Sequence, residues 1–334
     1  MSSTALADTS QTSSPSKQAK PIESWRPMLR VVAWELRRFR ASRLFWLQAL
    51  GYFVFSLVMT WVMHSPENFG FGVVAPSSTS ASQAERSAPL SGFVGATSAR
   101  GLLHVLPLFL MVLVLFLPFV TVDGVTRDLQ RRTHELILTT SLPSRSYVWG
   151  RYLVGLLMSL GLAVLMLLSL FGMGWLLHFT ISRYPSPQLG SMLVLWIGIV
   201  LSATVLVSSI GFALGTLYPA KSTLIKVAIM AIWIFVAVAS FGSGGQKPPS
   251  WAMNWDPTSG MTTNGLLNAS SLNLGSLGKS ITTEAQLQRA LVAFENKLPS
   301  LAGWYGPHLL LAGLSLLLVL VAGLAFKRSR EVLS

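Results

Sequence analysis

Long uninterrupted apolar runs alternate along this chain with short stretches that gather most of its charge. An apolar run of about 18 residues or more predicts a membrane-crossing helix, because roughly 20 residues at 1.5 Å each cross the hydrocarbon of a bilayer. Six runs qualify, at about 44–63, 102–122, 152–178, 189–216, 222–241 and 309–326. The third and fourth are long enough to tilt or to protrude. The fifth holds Lys226 near its start, from where a lysine can snorkel to the interface. The runs are too long and too continuously apolar for the alternating strands of a barrel. The pattern therefore predicts an all-α integral membrane protein built as a six-span helical bundle.

Two periodic segments lie outside the spans. Within 25–43, Trp25, Met28, Leu29, Val32, Leu36 and Phe39 recur at helical spacing, with Arg26, Arg30, Arg37 and Arg40 on the other side. This predicts an N-terminal amphipathic helix lying in the interface, its arginines toward anionic headgroups. The simpler alternative is a basic flank that only fixes topology. Between spans five and six, residues 242–308 form a helical external segment. Thr283 with Gln286 makes a capping box there, Leu287, Ala290, Leu291, Phe294 and Leu298 make one apolar stripe, and Pro299 stops it. Trp251, Trp255 and Trp304 suit the outer membrane interface. Residues 1–24 are rich in polar residues and lack the apolar core of a signal peptide, which predicts a disordered cytoplasmic tail. The loop 64–101, rich in Ser, Ala, Pro and Gly, is predicted to be extended and external. Within the spans, Gly211 and Gly215 form a small-xxx-small pair for close helix packing. Pro107 and Pro118 predict kinks in the second span, and Gly155, Gly161, Gly172 and Gly174 thin the third.

Composition sharpens this picture. The chain is 51% hydrophobic and 11% charged, less than half the roughly 25% of an ordinary soluble domain. That excludes a soluble enzyme. Having no cysteine, the chain has no disulfide and no cysteine metal site. The net charge of +13 would suit a nucleic-acid binder, but the placement of the charges excludes one. Most basic residues flank the spans on one side: Lys17, Lys20, Arg26, Arg30, Arg37, Arg38, Arg40, Arg43, Arg127, Arg131, Arg132, Arg145, Arg151, Lys221, Lys226, Lys327, Arg328 and Arg330. The other side holds Arg86, Arg100, Arg183, Lys247, Lys279, Arg289 and Lys297. The positive-inside rule then places both termini in the cytoplasm of a multi-pass cell-membrane protein.

Several local matches lead nowhere. Gly278-Lys279-Ser280 has Asn273 where a phosphate-binding loop needs glycine. His64, His104, His134, His178 and His308 show no metal-ligand spacing. Asn268-Ala269-Ser270 matches a glycosylation acceptor, relevant only on a eukaryotic secretory route.

More telling is what the spans lack. No Asp, Glu or Arg lies inside any of the six runs, whereas ion-driven carriers and proton relays place ionisable groups at that depth. With no nucleotide motif either, the chain must take energy from a separate subunit if it moves a solute uphill. No acid/base pair or nucleophile can be assembled, so a membrane enzyme is the least favoured class and no cofactor is expected in this chain. A stand-alone channel or carrier would have to rely on Gln48 and on Ser202, Thr204, Ser208 and Ser209, and a non-transporting assembly protein on its external helix.

The surface that could receive such energy is the loop between spans two and three. It reads Asp123-Gly-Val-Thr-Arg127-Asp128-Leu-Gln-Arg131-Arg132-Thr133-His134-Glu135-Leu136-Ile137-Leu138-Thr139-Thr140-Ser141-Leu142-Pro143. A charged first part and an apolar second part predict a short helix at the membrane face, its charges open to a soluble partner. The solvated loop is the plainer alternative.

This segment resembles the signature of ABC-2-type transporter permeases, an acidic/basic cluster followed by Gly-Thr-Leu-Glu, a leucine run and Ser/Thr-Pro-Leu-Ser. Asp128 stands for an early acid, and Thr133, Glu135, Leu136, Leu138, Thr140 and Leu142 match directly. Tyr147-Val148-Trp149-Gly150-Arg151 fits the lead into the third span. Arg132 replaces the glycine, His134 the leucine, Ser141 the proline and Gln130 an acid, so this partner-facing surface is more basic than usual. The layout from about residue 25 to 334 is similar as well. The resemblance implies one permease transmembrane domain paired with a second protomer, the same or different, and with cytoplasmic ATPase subunits that hold ATP-Mg. It implies export and ATPase contact through Arg127, Asp128, Arg131, Arg132, His134 and Glu135, with lipid around the bundle and no nucleic acid.

Overall fold

The structure, a computed structural model, describes residues 25–64, 95–125, 144–181, 184–242, 249–269, 284–298 and 303–333. Among these no strand occurs, and six helices are long and apolar enough to cross a membrane. A bilayer offers backbone polar groups no water, so a chain this apolar satisfies them within helices. Helix α1 is Trp25–Ala41 and α2, the first span, is Arg43–Val62. The second span is α3, Ala99–Thr121, and the third is α4, Ser144–Thr180. The fourth span consists of α5 (Leu189–Leu195), a π-helical stretch (Trp196–Leu201) and α6 (Ser202–Leu217). A 3₁₀ turn, Pro219–Lys221, leads into the fifth span, α7 (Ser222–Gly242). Then come α8 (Ser250–Trp255), α9 (Gly260–Ala269), α10 (Glu284–Glu295) and the sixth span, α11 (Tyr305–Leu333).

All six expected spans are present, and two are longer than hydropathy marks. Helix α4 begins ahead of the apolar run because Ser144–Arg151 are compatible with helix although polar. Its 37 residues measure roughly 55 Å, well beyond a hydrocarbon core of about 30 Å, so it protrudes. Helix α11 likewise runs on through Lys327, Arg328 and Arg330.

The second span is the centre of the bundle: 67% of its apolar window is buried, against 17% for the fifth span. Leu102, Leu103, Phe109, Leu110, Leu113 and Leu117 of α3 meet Tyr52 of α2, Leu162 and Met166 of α4, Ile199 and Val200 of the π stretch, and Trp233 of α7. Helix α3 runs unbroken through Pro107 and Pro118. The buried hydroxyls of Thr121 and Thr216 each donate to the carbonyl four residues back. Tyr52 Oη reaches across to the Phe109 carbonyl at 3.2 Å.

Glycines set the closest approaches. A Cβ at Gly211 would lie 2.9 Å from Thr121 Oγ1, and one at Gly215 would run into the Val122 carbonyl. The small-xxx-small pair therefore seats the fourth span on the end of the second. In the third span, Gly161 and Gly172 face open space, whereas Gly174 abuts Thr97 and Pro187 at 3.0 Å. In the π stretch, Gly198 admits Tyr305, whose Cε2 would be 2.6 Å from a Cβ there.

At the end of the bundle opposite α1, the segment between spans five and six folds back on the bundle. Asp256 accepts from Thr258 N at 2.9 Å, Thr258 Oγ1 at 2.6 Å and Met261 N at 2.7 Å, which caps α9. His308 of α11 turns its two ring nitrogens toward the Trp304 and Asp256 carbonyls, 2.9 Å from each. Trp251 and Trp255 are exposed, as interfacial tryptophans should be, but Trp304 is fully buried against Gly198 and His308. Its assignment to the outer interface is corrected, because the space left by Gly198 takes the indole into the core. Helix α10 confirms the helix expected there; Thr283 of the expected cap lies outside the described residues.

Substituting Gly215 with valine should lower stability by about 1–3 kcal/mol through overpacking against the second span, while Gly161→Ala should be neutral or slightly stabilising. Thermal unfolding of the detergent-purified variants, followed by tryptophan fluorescence, distinguishes the two.

Candidate functional site

The predicted contact residues Arg127, Asp128, Arg131, Arg132, His134 and Glu135 lie outside the described residues. What the structure does describe is the frame on which their segment is mounted. Val125 closes one flank and Ser144 opens the other. Val125, Tyr147, Val148 and Tyr152 share one buried cluster with Val31 of α1, Phe212 of α6 and Val319 of α11. The segment thus leaves and re-enters the bundle at a single packed base.

Two ion pairs fasten the flanks. On the incoming side, Asp123 accepts from Lys226 Nζ of the fifth span at 2.6 Å, and the ammonium lies 5.6 Å from the Phe119 ring. Lys226 therefore reaches a carboxylate on a neighbouring helix rather than only the interface. On the outgoing side, Arg151 of α4 is paired with Glu35 of α1, and each residue is 3% exposed. The guanidinium also lies over the rings of Trp34 and Tyr147, at 5.0 and 5.3 Å. Arg38 Nη1 donates to the same Glu35 carboxylate at 3.3 Å.

Close packing brings α1 near enough for this. A Cβ at Gly150 would lie 2.8 Å from Val31 Cγ1, so the glycine lets α1 rest on the protruding start of α4. Helix α1 turns Val31 and Glu35 to the bundle, leaving Trp25, Leu29 and Trp34 exposed for lipid. This refines the expected amphipathic helix: the face against the protein is a narrow edge beside the apolar stripe. It also gives Arg151, one of the charges that set topology in the sequence, a buried carboxylate partner. A single extended residue, Ser42, separates α1 from α2 and caps the latter, its Oγ accepting from Phe45 N at 3.4 Å. Between α1 and the ends of the first three spans lies a cavity of about 140 Å³.

Sequence reasoning missed Glu35, Asp123 and the structural use of Arg151 and Lys226. A signal existed for Glu35, the lone acid in a helix with five arginines, one helical turn from Val31.

The opposite end has its own charged joint. Ser98 caps α3 by accepting from Gly101 N at 3.0 Å and donates to Glu295 Oε2 of α10 at 3.0 Å. Arg100 lies 4.2 Å over the Phe294 ring. Burial pushes the Glu295 carboxyl above its ordinary value, while the Ser98 hydrogen bond and the Arg100 charge pull the other way and only partly offset it.

Fold and sites together define a multi-pass α-helical membrane protein with an ion-paired base under one end. The chain belongs to the ABC-2 family of transporter proteins: the family model described as "ABC-2 family transporter protein" matches residues 75–325. It is thus a membrane domain of the ABC-transporter permease type, a transport subunit associated with ABC ATPases. No curated protein and no solved structure matches the chain.

Two measurements test these joints. Glu35→Ala takes the paired carboxylate from a buried guanidinium and should cost about 3–5 kcal/mol, and combining it with Arg151→Met should recover more than half of the loss. Thermal unfolding of the single and double variants reads this directly. At the other joint, a carboxyl whose folded value lies above its unfolded one gives most stability when protonated. That stability is lost as pH rises from the ordinary carboxylate range through the raised value. Wild type should therefore gain stability over Glu295→Gln as pH falls through that window, as measured by paired melts across pH.

Proposed function

We propose that the chain is the permease of an ABC exporter and that residues 127–138 are where a separate ATPase drives it. The observation that carries this reading is the mounting of the segment's two flanks: Asp123 on Lys226 of the fifth span and Arg151 on Glu35 of α1. Displacement of the segment would be felt at once by α1 and by the second, third and fifth spans. The contact residues in this reading are Arg127, Asp128, Arg131, Arg132, His134 and Glu135. ATP-Mg is held by the ATPase subunits, and this chain is non-catalytic.

The reading places both termini and α1 on the cytoplasmic side, consistent with the bias of lysine and arginine. A second permease protomer, identical or different, completes the pathway, which runs between protomers along the first, second and fifth spans. The poor burial of the first and fifth spans within one chain supports this. Coupling requires only that the closed ATPase pair favour one arrangement of the bundle over the other by a few kcal/mol.

An exposed ion pair is worth about 0–1 kcal/mol. One reversal among the six contact residues should therefore change little, while reversing Arg127, Arg131 and Arg132 together should remove a few kcal/mol of docking. In proteoliposomes holding permease and ATPase, the triple variant should abolish ATP-driven export while melting like wild type. Unchanged export, or transport by the permease alone without ATP, would overturn the reading.

A further inference from the structure

The cavity under α1 has a makeup suited to one kind of ligand. Its lining combines polar side chains, Arg38, Ser42, Gln48, Arg151 and the two acids Glu35 and Asp123, with apolar ones. Two of the apolar ones, Leu44 and Phe119, are 65% and 46% exposed at the surface of the spans. A ligand placed here has a polar end among charges and an apolar end in hydrocarbon.

Among the described residues, the charges around the cavity favour an anionic end. Lys226 neutralises Asp123 at 2.6 Å, and Arg151 neutralises Glu35. Among the described residues around the cavity this leaves the positive charge of Arg38, whose side chain is 31% exposed and shares a carboxylate already paired with Arg151. The N-terminus of the 20-residue α2 opens on the same space through Ser42, Leu44 and Phe45, and its partial positive charge has the same sign. No acid occupies the first turn of α2 to compensate it.

We infer that this cavity is a binding site for the headgroup phosphate of an anionic phospholipid from the leaflet that holds α1. Arg38 and the first turn of α2 receive the phosphodiester, and the acyl chains lie along Leu44 and Phe119. A guanidinium is the side chain best matched to phosphate oxygens. Such a lipid would fill the space between α1 and the ends of the spans. The inference needs only the membrane setting of the bundle, not the ATPase-coupling reading, and its test uses no ATPase.

The full-length chain in neutral detergent is mixed with equal amounts of phosphatidylglycerol and phosphatidylcholine. Native mass spectrometry then counts the lipid retained under activation that strips the loosely held annulus. Wild type should keep one phosphatidylglycerol in preference to phosphatidylcholine. Arg38→Ala should weaken retention about tenfold, the loss of one charge-assisted contact, and Arg38→Lys should restore part of it. Arg37→Ala, on the exposed neighbouring position of α1, should leave retention unchanged. Gln48→Phe, which fills the cavity and keeps every charge, should also lose the lipid, and it decides the matter if Arg38→Ala does not fold. Equal retention of the two lipids, equal effects of Arg37→Ala and Arg38→Ala, or full retention by Gln48→Phe would overturn the site. Displacement of the lipid by an equal concentration of glycerol 3-phosphate would overturn the lipid as occupant in favour of a soluble anion.

Discussion

A guanidinium buried where helices leave a bilayer persists only if a carboxylate is brought to it, and Arg151 obtains Glu35 from 116 residues away in the chain. Much at this end of the molecule follows from that requirement. Helix α1 must lie against the start of α4, so Val31 must approach Gly150, and α4 must protrude far enough to offer its first turns as a platform. The pair adds little net stability relative to an apolar substitute of the same volume. Its effect is positional: any arrangement that moves α1 away from α4 separates the Arg151 guanidinium from the Glu35 carboxylate.

The second ion pair adds a different linkage. Asp123 and Lys226 are partly exposed, so their attraction is screened and weaker than that of the buried pair. It nonetheless ties the end of the second span to the start of the fifth, one of the least buried helices in the bundle. A packed base with one strong and one weak fastening need not move as a rigid block. The third span and α1 should travel together, while the joint between the second and fifth spans can open at lower cost. Packed interfaces tend to switch between discrete arrangements rather than deform smoothly. In the proposed coupling, a force on the intervening segment would act first at the weaker fastening.

The fold was legible in the sequence because membrane helices carry their signature in uninterrupted apolarity, and each of the six runs became a helix. What hydropathy could not reveal were the helical extensions at Ser144–Arg151 and beyond Lys327, because polar residues end a hydropathy run without ending a helix. Gly211 and Gly215 were readable as packing glycines since their spacing is itself the signal. Trp304 was misplaced because a tryptophan at the end of a span reads as interfacial, and only the gap at Gly198 shows that it turns inward. The frame of the candidate site was hidden for a different reason. Its pairs join residues from distant stretches, and charges at span ends serve topology so often that Arg151 and Lys226 carry no local mark of a second task.

The family match begins at residue 75, beyond both α1 and the first span, yet Glu35 and Arg38 belong to α1. Removing the unmatched part in thought shows what it contributes. Without α1, Arg151 would keep the Tyr147 ring but lose the Glu35 carboxylate and the face of Trp34. Without α2, Tyr52 would no longer reach the Phe109 carbonyl, and the central second span would expose one flank of its core. The α1–α2 unit is therefore as much a part of this membrane domain as the matched residues. It supplies the acid that fixes the third span at the base and the wall that closes the second span along the bilayer.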